Sequence, residues 1–472
     1  MVTASRSLLG NSDERNKCNM RRCANKTCHT ADIALLAAFA RPDGTDRVME
    51  QSFPKMIEVR QKFPASQILD LPVVLDQQFA AADLSHKISP GMKVAVGVGS
   101  RGIANLQEIV RCTLDMLLRA GARPFIVPAM GSHGGATPEG QAKVLAEYGV
   151  TPQVLGVPFE TSMEVQRVGV TPSGLDVVFS AAALDADGIV VINRIKPHTD
   201  FHGTLGSGIQ KMLTIGFGKH AGAANAHRVA IRIGHERVIR EFAGVILGSV
   251  PVLCGVAVLE DQHHETAEVH VIRAENIVSE EDRLFEKSRT LMPRLPMDEI
   301  DLLIVDRIGK ELSGTGMDTN VIGRGILGYS ATLSSDDSRS PRIFRIFVRE
   351  LSEHTNGNGI GIGLADFTTS RLVRGLDMRA TYINALTSLG LPTVNIPIHF
   401  ETDRETIQQA LASLATSCPE KLRVVRVSDT LNIERLLVSE SCLDAMRGDA
   451  GVTAVSSPQP MQFDAAGNLL PF

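Results

Sequence analysis

The sequence predicts an α/β protein of two α/β domains with mostly parallel sheets and the active site in the cleft between them. Three observations carry this. Apolar runs of strand length at 94–98, 125–127 and 188–192 alternate with helical periods. Each run ends in a glycine-rich polar loop, and the same rhythm restarts after a charged stretch at 275–294. Strands alternating with helices build a parallel sheet covered on both faces.

The elements follow in order. Met56-Ile57-Glu58-Val59 opens a first strand. Val94-Ala95-Val96-Gly97-Val98 is a strand that stops at Gly99-Ser100-Arg101-Gly102, and Leu106, Ile109, Val110, Leu114 and Leu117 then recur at helical spacing until Gly121. Phe125-Ile126-Val127 is the next strand. It leads into Met130-Gly131-Ser132-His133-Gly134-Gly135, after which Thr137 caps a helix with Pro138 at its first position. Gly188-Ile189-Val190-Val191-Ile192 reads as a fully buried strand, and 250–259 as another, followed by a polar turn at 260–265. The stretch 275–294 is a helical connector. The second domain takes strands at 301–305, 359–364, 393–396 and 424–427, with helices at 379–389 and 404–414. The domains therefore run 56–285 and 286–447, with a tail at 448–472 and an extension at 1–55 that is disordered or precedes the true start.

Bulk composition excludes several classes. A net charge of −5, no Trp and three Tyr give neither the basic stripe nor the stacking rings of a nucleic-acid binder. No apolar run reaches the ~18 residues of a membrane span. The closest, 33–40, ends Ala38-Phe39-Ala40 like a signal-peptide cleavage site, but its leader carries Asp13, Glu14 and Asp32. Seven scattered cysteines without a CxxC suit reduced thiols and a cytoplasmic location. Cys18, Cys23 and Cys28 with His29 have an x4 spacing that a zinc site could use, in a segment with no other fold signal.

The stretch 193–228 is the chemical centre. It holds four histidines (His198, His202, His220, His227), the lysines Lys211 and Lys219, and six glycines from Gly203 to Gly222. Glycines allow close backbone approach and expose N–H groups to anions. A partly desolvated lysine becomes a nucleophile, and histidines serve as neutral-pH acid/bases or metal ligands. Because ligands gather at the carboxyl ends of parallel strands, Arg101, His133 and this stretch should converge. Arg101 suits a carboxylate held through two nitrogens. Lys219-His220 reads as a solvated pair. The loop 309–320, also glycine-rich and following a strand, could face this site.

These residues resemble the nickel-pincer lactate racemase family. The order is Ser100-Arg101, then Gly131-Ser132-His133, then His202-Gly203-Thr204-Leu205-Gly206-Ser207-Gly208-Ile209-Gln210-Lys211, then His227. The resemblance implies a racemase or epimerase of a 2-hydroxy acid working by hydride transfer. Its cofactor would be a nickel-pincer pyridinium mononucleotide carried on Lys211 and cradled by Gly206, Ser207 and Gly208, with His227 on nickel. It further implies His133 and His202 as acid/bases, His198 as the rival of His202, and Arg101 on the substrate carboxylate. Cofactor-synthesis proteins would be partners. The family's second-domain Tyr-Gln pair and Trp have no counterpart here, and Lys310 is a loose stand-in for the lysine that follows the pair. These departures leave an alternative: a non-enzymatic binding or maturation-associated protein that keeps the fold and an anion pocket.

Overall fold

Two sheets, each with apolar cores on both faces, organise the chain. The computed structural model describes residues 53–100, 102–199, 201, 203–325, 341–416 and 418–472. Arg101, His202, the Cys18/Cys23/Cys28 group and almost all of the 1–55 extension lie outside the described residues. Everything described belongs to one unit, Ser52–Phe472.

The first sheet has five strands in the order Arg123–Pro128, Lys93–Val98, Gly188–Arg194, Val252–Glu260, Thr266–Arg273. The first four run parallel, and the last is antiparallel at the edge. Alternation along each strand splits the side chains between two cores. Val94, Val96, Val190, Ile192 and Val256 pack with the helix Leu106–Arg119, while Ala95, Ile189, Val191 and Ala257 pack with Ile209, Leu213, Phe217 and Phe242. The predicted cap holds: Thr137 Oγ1 accepts the Gly140 N–H at 3.0 Å at the start of the helix Pro138–Glu147.

The second sheet has eight strands. Ile398–Phe400, Phe367–Thr369, Arg342–Leu351, Glu299–Ile308 and Val424–Val427 run parallel, and Arg435–Ser439, Met56–Gln61 and Val452–Ala454 continue the sheet antiparallel. The fold is thus α/β with mostly parallel sheets, as the alternation predicts.

The elements differ from the sequence reading at three places. The strand at 56–61 lies in the second sheet, paired to 435–439 and 452–454, and the 448–472 stretch supplies a strand to that same sheet. The short strands expected at 359–364 and 393–396 are 3₁₀ turns (Ile362–Leu364 and Leu391–Val394), with the strands themselves at 367–369 and 398–400. Arg342–Leu351, a central strand, has no clean apolar period because Arg349 is buried in it. That arginine is neutralised by Asp306 at 3.0 Å and Asp403 at 2.7 Å. Among the described residues no helix is long and apolar enough to cross a membrane.

Candidate active site

The loops that follow three neighbouring parallel strands meet on the segment that carries Lys211. After Lys93–Val98 comes Gly99, where a Cβ would lie 2.7 Å from Met212 Cε. After Arg123–Pro128 comes Gly131, whose left-handed backbone (φ +60°) lets its N–H reach the Gly216 carbonyl at 3.2 Å. At the end of Gly188–Arg194, the Asn193 side chain donates to the Gly208 carbonyl at 2.7 Å. The Ser100 turn, the His133 loop and the Lys211 segment therefore share one edge of the sheet, as parallel topology requires.

Lys211 closes a one-turn helix, Ile209–Lys211, and a π-helical turn, Met212–Gly216, follows directly. Such turns occur frequently at functional sites. The turn is anchored from the side by Glu281, fully buried on the helix Ile277–Thr290, which accepts the Gln210 N–H at 2.9 Å. Burial pushes the Glu281 carboxyl up to about 7. The expected glycine cradle has a different basis. A Cβ at Gly206 would strike the Lys196 carbonyl and one at Gly208 the Glu281 carboxylate, and the Ser207 N–H donates to Lys196 at 2.9 Å. At 206 and 208, close packing of the chain on itself therefore accounts for glycine.

Lys211 stands beside a row of stacked rings. His198 stacks on Phe201 (centroids 4.5 Å, 19°), Phe201 on His235 (5.0 Å, 5°), and His235 meets His227 edge to face at 5.7 Å. The Lys211 ammonium lies 5.9 Å from the Phe201 centroid, a cation–π distance. His227 comes from the helix Lys219–Ile233 and His235 opens the next, His235–Ser249. Gly234 (φ +87°) makes the turn between them. Burial, with the Lys211 charge adding to it, pulls His227 down to about 4. Burial, then His227 and Lys211, pulls His235 down to about 3. Both rings are neutral at pH 7, the state in which imidazole binds metal. His227 Nδ1 is buried without a hydrogen-bond partner.

His133 is exposed at the mouth of its loop, and its Nδ1 is hydrogen-bonded to the Ser100 hydroxyl. Ser100 is itself held by the Tyr148 hydroxyl, which donates to its carbonyl at 3.1 Å. Arg101 follows Ser100 but lies outside the described residues, as does His202. His220 is exposed, whereas Lys219 is wholly buried, so the two are not a solvated pair.

The loop after Glu299–Ile308 does approach this region. Thr319 Oγ1 donates to the Thr199 carbonyl at 2.5 Å. Lys310 is exposed at the other end of the loop, with its N–H on Thr355 Oγ1 at 3.4 Å. Sequence reasoning missed Phe201, His235 and Glu281. The first two sit within or just beyond the histidine-rich stretch, and Glu281 is one acid in a charged helix.

Together these features define an α/β protein with a lysine and neutral histidines gathered at the carboxyl edge of a parallel sheet. Residues 55–238 match the lactate racemase N-terminal domain family. Among solved structures it is similar to the lactate racemase apoprotein from Thermoanaerobacterium thermosaccharolyticum at 14% identity, over 80% of this chain and 96% of that one, with a TM-score of 0.44. No curated protein matches the sequence.

Proposed function

We propose that the protein is a nickel-pincer-dependent racemase or epimerase of a 2-hydroxy acid. The observation that carries this reading is the pairing of Lys211 with a neutral, half-buried His227 across the Phe201–His235 stack, on a segment that matches the lactate racemase N-terminal domain. The residues fit the cofactor. Lys211 is half-buried beside an aromatic face, and His227 Nδ1 has no other partner. Among the described residues no cluster of three His, Cys, Asp or Glu forms a metal site. A pincer cofactor that brings donors of its own would suit a metal held on His227.

When bound, that group supplies the hydride acceptor and donor that inversion of a weakly acidic C–H needs. The chain's own residues handle protons and orientation. Ser100 engages His133 Nδ1 and so orients the imidazole that would take the substrate's hydroxyl proton. Return of a proton from the opposite side requires a second imidazole. The stacking of His198 on Phe201 supports His198 in that role beside the His202 of the family order. Arg101 would hold the substrate carboxylate. Cys112, Cys254, Cys418 and Cys442 are free thiols, in keeping with a cytoplasmic site of action supplied by cofactor-synthesis proteins.

The absence of Trp and of a Tyr-Gln pair favours a second reading, a binding protein that keeps the pocket without turnover. The intact mass of protein made in a host that synthesises the cofactor, with metal analysis alongside, decides between them. An adduct on Lys211 with nickel supports the racemase. Unmodified Lys211 and no nickel would leave the binding protein.

A further inference from the structure

Lys219 is the most unusual charged residue of the chain. Its side chain is fully buried, and its backbone is left-handed (φ +52°) at the start of the helix Lys219–Ile233. Its ammonium donates to the Pro128 carbonyl at 2.7 Å and to Gln141 Oε1 at 3.3 Å. No carboxylate acts on it among the described residues, and burial alone lowers it to about 8. Burying a cation against neutral oxygens is costly, and a methionine would fill the same stem without that cost. The residue is therefore poor as a stabiliser, and its bonds indicate another use.

Those bonds lead to His133. Pro128 is the last residue of the strand that enters the His133 loop. Gln141, also fully buried, turns its amide nitrogen back onto that loop, donating to the Gly131 carbonyl at 2.9 Å and the His133 carbonyl at 3.4 Å. The orientation of the Gln141 amide follows from Lys219: an ammonium can only donate, so it binds the amide oxygen and leaves the amide nitrogen for the two carbonyls. The loop is thus gripped at its entry by Lys219 and beneath His133 by Gln141. On its outer side, Ser100 holds the ring.

We propose that Lys219 is a positioning residue for His133, acting through Gln141 and the Pro128 carbonyl to fix the backbone that presents the imidazole to Ser100. This rests on the reading of His133 as an acid/base for its catalytic meaning, but not for its geometry.

The test uses the full-length protein without cofactor. Nitrogen NMR of the His133 ring is recorded for the wild type and for Lys219→Met, Gln141→Ala and Gln141→Glu. The wild type should show one dominant tautomer, because the fixed loop holds the ring in a single pose against Ser100. Lys219→Met and Gln141→Ala should fold yet mix the tautomers and broaden the ring signals. Gln141→Glu is the discriminating variant. It gives Lys219 a charged partner but removes the donor to the Gly131 and His133 carbonyls, so it should behave like Gln141→Ala despite keeping the lysine satisfied. If Lys219→Met fails to fold, the two Gln141 variants carry the test alone. Ring signals identical to wild type in a folded Lys219→Met, or in both Gln141 variants, overturn the proposal. In cofactor-loaded protein the same variants should lose roughly 10- to 100-fold in kcat with KM little changed, as for a slightly misplaced catalytic group. Should Lys211 prove never to carry an adduct, the racemase reading falls while the ring measurement still judges Lys219.

Discussion

His227 and His235 meet edge to face, 5.7 Å between ring centroids, although they come from two successive helices joined at Gly234. One ring is offered to the site and the other backs it. The left-handed Gly234 sets the angle between the helices, and so the angle at which the rings approach. His235 in turn stacks on Phe201, so the pose of His227 is tied to the loop that also holds His198.

The first prediction separates attachment, metal and chemistry. Lys211→Ala should abolish any covalent adduct. His227→Ala should keep the adduct and weaken nickel binding, since few protein groups would hold the metal. His133→Ala should spare both and cost about 10²–10⁴ in rate, the usual share of a general base. Intact mass, metal content and turnover, measured on the same preparations, check the order. A His133→Ala protein with full activity would remove that residue from the mechanism.

A second prediction concerns acid. His227 and His235 are held neutral in the fold, at about 4 and about 3, against 6.5 for the free side chain. As pH falls below 6.5, the unfolded chain takes up protons that the folded one refuses, so stability falls. The loss continues until the folded rings titrate. The two rings together should remove on the order of a few kcal/mol between pH 6.5 and 4. His235→Phe, which keeps a ring against Phe201, should flatten part of that slope in urea melts at graded pH. An unchanged slope would place the acid sensitivity elsewhere.

Glu281 behaves in the opposite sense. Its carboxyl is raised by burial to about 7 from 4.5, so the folded state keeps a proton that the unfolded state releases between those values. Stability from this group is full below 4.5 and declines as pH rises to about 7. Glu281→Gln removes the decline and should gain about 1–3 kcal/mol on wild type between pH 5 and pH 8. Melts at those two pH values suffice. If the variant gains nothing at the higher pH, the carboxyl is not proton-linked to folding.

The displaced strand can be tested by one truncation in the core. Ile57 is 2% exposed and pairs with Val438. Ile57→Ala should cost about 2–4 kcal/mol. Because the strand lies in the second sheet, amide exchange should quicken first at 435–439 and 452–454, while 94–98 and 188–194 keep their protection. Faster exchange in the five-stranded sheet first would contradict the pairing.

Periodicity alone made the α/β class, the strands at 94–98, 125–127 and 188–192, and the capped helix at Thr137 legible, because each rests on interactions within a few residues. That the loops carrying Ser100, His133 and Lys211 meet could also be read there, since strand ends in a parallel sheet collect on one edge whatever the details of packing. Other features were hidden. Met56–Gln61 looks like any first strand, and which sheet it enters depends on partners some 380 residues away in the chain, at Arg435–Ser439. Arg342–Leu351 carries charge in a strand core, tolerable only because Asp306 and Asp403 arrive from other elements. Lys219 beside His220 reads as solvated until the fold closes Pro128 and Gln141 over it. The neutrality of His227 and His235 likewise comes from desolvation, which no residue possesses alone. Local pattern determined the elements and the edge where they meet. Tertiary structure decided which charges are buried, and burial sets their chemistry.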